Sequence, residues 1–279
     1  MPITPHPITN EQVPLTLGHE FSGSIEEIGE DVNDLKIGDR VTIQPIIYDG
    51  TCEACKEGYI NCCDKNGFVG LSGWGGGLSE HVVIPRKAVF KIPESMSMEV
   101  AGDLRPRHTV GWHAVNVSPF KKGHSALILG GGPIGLAVIQ ALLARGADKI
   151  IVSEVSTRRS QFAKDFGAHY VVNPTKEEVN KAVREINGGE GVDVVFDAAG
   201  VQAALDSAVL ALKARGTYIN IAVWKERATL VPNQFLFRRM KPEGMITKKI
   251  KMDEVVEEGF EALIRDKDNQ VKILIDAEA

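Results

Sequence analysis

One stretch constrains this chain more than any other: Leu127-Ile128-Leu129-Gly130-Gly131-Gly132-Pro133-Ile134-Gly135-Leu136-Ala137-Val138. An apolar run ends at a glycine cluster, and an apolar, helix-forming run starts at once after it. Gly130, Gly132 and Gly135 fit G-x-G-x-x-G. The first glycine permits a tight turn, the second lets a pyrophosphate approach the backbone, and the third lets the helix pack close to the strand. Free N–H groups and the positive end of the helix dipole then face the phosphates, with Ile134 in the first turn. Pro133 suits that turn, where its missing N–H costs nothing. A second apolar run, Lys149 to Ser153, follows after a helix-length gap and ends in Glu154. That acid stands ~20 residues on, where a dinucleotide fold places its ribose-binding carboxylate. Glu154 reads either as the acceptor for the ribose hydroxyls of NAD, repelling the 2′-phosphate of NADP, or as a solvated strand end. Arg158 and Arg159 follow it, either to pair with a phosphate or to line a solvated helix face.

The rhythm from Ala126 onward is strand, helix, strand. Strands are expected at Ala126–Leu129, Ile150–Ser153, Tyr170–Asn173, Val192–Asp197 and Thr217–Val223, with helices such as Arg158–Phe166 and Lys176–Ile186 between them. Alternation of this kind implies parallel βαβ units and a doubly wound α/β sheet. Five strands are counted where the Rossmann order 3-2-1-4-5-6 has a sixth. After Lys241-Pro242 no further β run is expected before a helix around Asp253–Ile264 and a short last strand, Val271–Ile275. Leu15 to Pro93 instead reads as β-rich and full of turns: strands over Phe21–Gly29, Arg40–Ile43 and His81–Pro85, a glycine-rich loop from Gly70 to Gly77, and so a small barrel.

All four cysteines, Cys52, Cys55, Cys62 and Cys63, fall in one short segment. In a reducing compartment such clustering indicates metal more than disulfides. Asp49-x2-Cys52-x2-Cys55-x7-Cys63 supplies four groups that can close a tetrahedral zinc site. The alternatives are free or buried cysteines and, for Asp49, a turn residue before Gly50. Cys62 points away if Cys63 points inward. The net charge of −5 argues against a nucleic-acid partner. No apolar run approaches ~18 residues, so no membrane span is expected. The start, Met1 to Pro7, lacks the regions of a signal peptide and reads as an extended arm, which places the protein in the cytoplasm.

A further constellation, Gly18-His19-Glu20-x2-Gly23-x5-Gly29-x2-Val32, joins these stretches. Together they resemble the zinc-dependent medium-chain alcohol and polyol dehydrogenases, and within that family the 2,3-butanediol dehydrogenase branch. Gly70-Leu71-Ser72-Gly73-Trp74-Gly75-Gly76-Gly77, Gly111-Trp112-His113-Ala114-Val115 and Lys241-Pro242-Glu243-Gly244-Met245-Ile246-Thr247 carry the narrower match. Asp49 in place of the usual first lobe cysteine also occurs in this branch. The resemblance implies a partial GroES-like catalytic barrel over residues 1–95, an NAD-binding Rossmann domain over 96–240 that lacks its last strand, and a C-terminal return to the barrel over 241–279. It implies a homo-oligomer, NAD, a structural zinc in the lobe and a catalytic zinc that polarises an alcohol oxygen so that hydride leaves to nicotinamide. The substrate would be a small secondary alcohol or diol of the butanediol–acetoin type, or a sorbitol- or xylitol-type polyol. His19 matches a catalytic zinc ligand, and Glu20 the catalytic acid beside it or an alternative ligand.

Departures from the family pattern accompany the match. The Gly-Ile-Cys-Gly-Thr-Asp type motif, whose cysteine binds the catalytic zinc, has no counterpart. The polyol branch's Glu-Pro pair before Val110-Gly111-Trp112 is replaced by Asp103-Leu104-Arg105-Pro106-Arg107-His108-Thr109. Asp103 or His108 could substitute, or each is simply solvated. An incomplete catalytic zinc site is therefore expected, and with it a second possibility: an inactive NAD- and zinc-binding remnant.

Overall fold

The computed structural model describes residues 16–72, 75–104, 108–232, 246–266 and 272–276. The N-terminal arm, Gly73-Trp74, Arg105 to Arg107 and the first five residues of the Lys241 motif lie outside the described residues. The chain divides into two compact units, 1–228 and 229–279.

The centre of the first unit is a parallel sheet. Its strands are β6 (Ser125–Leu129), β7 (Lys149–Ser153), β8 (Tyr170–Val172), β9 (Val192–Asp197) and β10 (Leu212–Asn220), in the order β10-β9-β6-β7-β8. All five residues of β6 are buried. Near-continuous apolar runs of this kind suit parallel strands covered on both faces, and two cores result. On one face Ile128, Val152 and Phe196 meet Val138, Ile139 and Leu142 of helix α4 (Pro133–Ala144), Ala163 of α5 (Thr157–Asp165) and Val115 of α3 (Thr109–Val117). On the other, Leu127, Ile151 and Val195 meet Val183 of α6 (Val179–Ile186) and Ala208 of α7 (Gln202–Ala211). The order reverses at β6: β7 and β8 run out to one side of it, β9 and β10 to the other. Ligands of open α/β sheets bind in the crevice outside the carboxyl ends of the strands at such a reversal.

Before this sheet lie a three-stranded antiparallel sheet and a two-stranded one. The first contains β1 (Ser22–Ser24), β2 (Arg40–Ile43) and β5 (Val89–Lys91); the second pairs β3 (Ile46–Ile47) with β4 (Gly67–Phe68). The short helix α1 (Glu53–Lys56) lies in the cysteine segment between them. Helix α2 (Met98–Asp103) starts at Ser97, whose side chain accepts from the Val100 N–H, and packs on β1 through a bond from Ser22 Oγ to the Met98 carbonyl. These elements are the partial barrel anticipated from the turn-rich sequence.

Some strand expectations are corrected. The run Phe21–Gly29 keeps a ladder only over Ser22–Ser24, with one more bonded pair at Ile25; Ile28 is 43% exposed. His81–Pro85 alternates in burial but forms no ladder, because no described strand lies beside it to accept its bonds. The fifth Rossmann strand begins earlier than expected. Its register slips between Leu212 and Thr217, where Arg215 takes a positive φ of 61°. Among the described residues this sheet has five strands, and no strand pairs with the far side of β10.

The second unit also departs from expectation. A strand does follow Lys241: β11 (Ile246–Lys251), which pairs in parallel with β12 (Lys272–Asp276). Ile246, Ile250 and the intervening lysines alternate too weakly to have marked it. The helix expected over Asp253–Ile264 is a 3-10 turn at Met252–Glu254, a π-helical run at Val255–Glu261 and α8 (Ala262–Arg265). A Cβ on Gly259 would lie 3.1 Å from Ile250 Cδ1, so this helix crosses β11 closely.

Candidate functional site

The glycine turn after β6 separates into three roles. Gly130 has φ 95°, which only glycine adopts at no steric cost. A Cβ on Gly135 would fall 2.0 Å from the Gly130 carbonyl oxygen, so close packing of the helix start demands glycine there too. Gly132 is different: a Cβ there would meet nothing within 4 Å. Nothing in the protein requires glycine at 132, and the open space beside it is where the fingerprint places a pyrophosphate. Pro133 and Ile134 open α4 directly behind it. These residues fit a dinucleotide.

Glu154 is not a solvated strand end, being only 4% exposed. Its Oε2 accepts from the Gly131 N–H at 2.7 Å and its Oε1 from the Ser156 N–H at 2.8 Å. The carboxylate thus ties the phosphate-binding turn to the turn after β7, and each oxygen keeps a lone pair for a ribose hydroxyl. Arg158 and Arg159 are both exposed; the Arg158 guanidinium lies over the Phe162 ring, 5.7 Å from its centroid. The Arg159 backbone N–H bonds Ser156 Oγ at the start of α5.

In the cysteine segment Asp49, Cys52, Cys55 and Cys63 converge. Each offers one ligand atom, and the four atoms lie within 4.8 Å of one another. Local chain chemistry builds this cluster. Asp49 Oδ1 accepts from the backbone N–H groups of Thr51 (2.8 Å) and Cys52 (3.3 Å), turning the chain at Gly50, which has φ 79°. Asp49 is therefore both the turn residue and a member of the cluster. The Thr51 N–H holds its carboxyl well below the usual carboxylate range. The Asp64 backbone N–H lowers the Cys52 thiol, whereas desolvation pushes Cys55 up to about 12. Cys63 is buried and Cys62 exposed, as their opposed directions require. Three thiols and one carboxylate at this spacing fit a closed tetrahedral zinc.

His19 and Glu20 are held by an arrangement that sequence reasoning did not foresee. The Gly77 and Leu78 N–H groups donate to the Gly18 and Leu17 carbonyls at 2.8 and 2.9 Å. A Cβ on Gly76 would fall 2.4 Å from the Leu17 carbonyl oxygen, and one on Gly77 2.5 Å from the Phe21 ring. Gly70, Gly76 and Gly77 are glycines because they lie against the segment that carries His19, where a Cβ on Gly70 would fall 2.0 Å from the Gly18 carbonyl oxygen. The signal was in the sequence as a glycine cluster without a stated purpose.

Around His19 the ligand set stays short. His19 Nε2 stands 3.8 Å from Glu20 Oε1. Glu20 and Asp103 line one small cavity of about 400 Å³, while Asp103 also faces His108, Oδ2 to Nδ1 at 3.8 Å. Among the described residues the lobe is the one group of three or more His, Cys, Asp or Glu side chains placed to hold a metal, and His19 and Glu20 belong to no such group. The described residues do not fit a catalytic zinc. A larger cavity of about 1000 Å³ includes neither His19 nor the glycine turn; Trp112, Gln140, Ile219 and Ile221 are among its walls.

Comparison with known proteins agrees with this geometry. Residues 3–94 match the alcohol dehydrogenase GroES-like domain, and residues 133–263 the zinc-binding dehydrogenase domain. The (R,R)-butanediol dehydrogenase of Bacillus subtilis (strain 168) is 38% identical over 296 residues, covering 97% of this chain and 83% of that protein. A crystal structure of 2R,3R-butanediol dehydrogenase from Bacillus subtilis superposes with a TM-score of 0.74 at 37% identity, over 99% of this chain and 84% of that one. A structure from Sinorhizobium meliloti 1021, described as a zinc-binding dehydrogenase and bound to NADP, gives 0.75 at 30% identity, over 95% and 84%. Two family domains in order, a Rossmann sheet and a lobe of four converging ligand atoms lead to one conclusion: the chain belongs to the zinc-dependent medium-chain alcohol dehydrogenases, whose cofactors are zinc and NAD(P).

Proposed function

We propose that this protein binds NAD across the β6–β9 crevice and belongs, by reaction class, to hydride transfer between NAD and a small secondary alcohol, a vicinal diol or acyloin such as butanediol and acetoin. The observation that carries the reading is the open space at Gly132, next in the chain to Gly131, whose N–H donates to the buried Glu154. NAD supplies the hydride acceptor. Gly130, Gly132, Pro133, Ile134 and Gly135 cradle the pyrophosphate, Glu154 accepts from the ribose hydroxyls, and Arg159 lies past it at the adenosine end. A buried carboxylate at that place disfavours a 2′-phosphate, so NAD is preferred to NADP. Asp49, Cys52, Cys55 and Cys63 would hold a structural zinc. The domains run over 1–95, 96–240 and 241–279. A reducing cytoplasm suits the free thiols, and no described helix is long and apolar enough to cross a membrane.

Among the described residues no third His, Cys, Asp or Glu joins His19 and Glu20 to hold a metal, which favours a second reading: NAD and zinc are bound without efficient turnover. Catalysis of this kind uses a metal held by three protein ligands with a fourth position open. One experiment separates the two. NADH formation from 2,3-butanediol, with sorbitol as the polyol comparison, is measured with added zinc for the protein and for His19→Ala. Turnover abolished by His19→Ala establishes the dehydrogenase. Absence of turnover alongside measurable NADH binding establishes the second reading. Failure to bind either NAD or NADH overturns both.

A further inference from the structure

We infer that Asp197 and Tyr218 are positioning residues for the nicotinamide half of the dinucleotide, acting through the loop Ala198–Gly200; the inference rests on the NAD reading above. Asp197 ends β9 and is 0% exposed, an unusual place for a carboxylate unless it is fully engaged. It is engaged on both oxygens. Oδ1 accepts from the N–H groups of Ala199 (2.8 Å) and Gly200 (3.0 Å), and Oδ2 from the Tyr218 hydroxyl (2.7 Å). Its main-chain carbonyl accepts from Ile221 and Ala222, each at 2.9 Å, and the next residue, Ala198, donates to the Leu129 carbonyl at 2.9 Å. Asp197 and the residue after it therefore gather the carboxyl ends of β6, β9 and β10. Partial burial of Tyr218, with the Asp197 carboxylate beside it, keeps its phenol protonated and hence a donor.

The loop held this way borders the cofactor crevice. A Cβ on Gly130 would lie 3.4 Å from the Ala198 carbonyl and the Ala199 nitrogen, so the first fingerprint glycine and this loop touch backbone to backbone. In a doubly wound sheet each half of the strands takes one mononucleotide, and the dinucleotide crosses at the reversal. Glu154 at the end of β7 marks the adenosine side. The nicotinamide half then lies over β9 and β10, against Ala198–Gly200. With the N–H groups of 199 and 200 taken by Asp197, the polar groups left to that loop are carbonyl oxygens. These are acceptors, and the nicotinamide carboxamide is a donor. Gly200, at φ 65°, lets the chain turn there with Ala222 close behind it, since a Cβ on Gly200 would be 2.9 Å from Ala222 Cβ. Without the Tyr218 and Asp197 anchors the loop is free to rotate its peptides, and the fixed acceptors are lost.

The test compares NADH, which spans both halves, with AMP, which occupies only the adenosine side. Binding is followed by the fluorescence of bound NADH and by its displacement with AMP. Tyr218→Phe is expected to weaken NADH about tenfold, the scale of one lost hydrogen bond to a charged group, and to reduce the fluorescence enhancement of the bound nicotinamide. AMP affinity is expected to stay within about twofold, because Glu154 and the glycine turn are untouched. Asp197→Asn is expected to act in the same direction; if it does not fold, Tyr218→Phe carries the test by itself. Equal weakening of AMP and NADH, or no change in either, overturns the inference. A parent protein that binds AMP but not NADH overturns the NAD reading and this inference with it.

Discussion

At the scale of single residues, the buried and partly buried acids divide by what surrounds them. Asp197 and Glu154 sit at the carboxyl ends of the strands, where ligands bind. Asp193 sits at the opposite end of the sheet and is bonded like a structural plug. Its Oδ2 accepts from Ser125 N and Ser125 Oγ, each at 2.9 Å, Lys213 donates to Oδ1, and His124 Nε2 stands 3.7 Å away. Burial raises its pKa, but the Lys213 and Ser125 donors outweigh that and hold it below the ordinary value. A depressed carboxyl stabilises the fold fully above the unfolded pKa and loses that contribution as pH falls through the folded one. Asp193→Asn is accordingly expected to cost about 1–3 kcal/mol at neutral pH. The difference from the parent should shrink below about pH 5 as the parent's own carboxyl protonates. Urea unfolding of both proteins across that range checks it, and a difference independent of pH would show that Asp193 stabilises by shape rather than charge.

At the scale of elements, the cysteine segment is where a bound zinc is expected to contribute most. Helix α1 has four residues, none of them buried. Structural zinc contributes an apparent ~10–16 kcal/mol in small zinc-finger peptides at neutral pH, enough to order such a loop. Elemental analysis should give about one zinc per chain, and Cys55→Ser or Cys63→Ser should each abolish it; zinc kept by both variants would refute the lobe assignment. The elements were unequally legible in the sequence. β6, β7 and β9 were readable within a residue or so because an apolar run between glycine and an acid has few other uses. The convergence of Asp49, Cys52, Cys55 and Cys63 was readable because their spacing is local. His81–Pro85 misled, since alternation records burial but not whether a partner lies alongside. β11 was missed because lysines interrupt it. The bonds that Asp197 makes were invisible, because Tyr218 is brought to it by the β9–β10 pairing rather than by any motif.

At the scale of the whole molecule, no described strand extends the first unit's parallel sheet beyond β10. The far edge of β10 pairs with no described strand, Ile219 and Ile221 open onto the larger cavity, and Val223 is 86% exposed. Unpaired apolar edges recruit other chains. Sedimentation over a range of concentrations should therefore show self-association; a monomer independent of concentration would count against that edge being available. The interlock between Gly70–Gly77 and the His19 segment points in another direction. It is made by main-chain atoms, the Phe21 ring and the absence of side chains at the glycines, and none of it uses the side chains of residues 19 and 20. Scaffold and chemistry are encoded in different places. A lineage can exchange the reactive side chains, or lose them altogether, and still inherit the frame that presents them. Such a frame can present different side chains at the same two positions without a new fold.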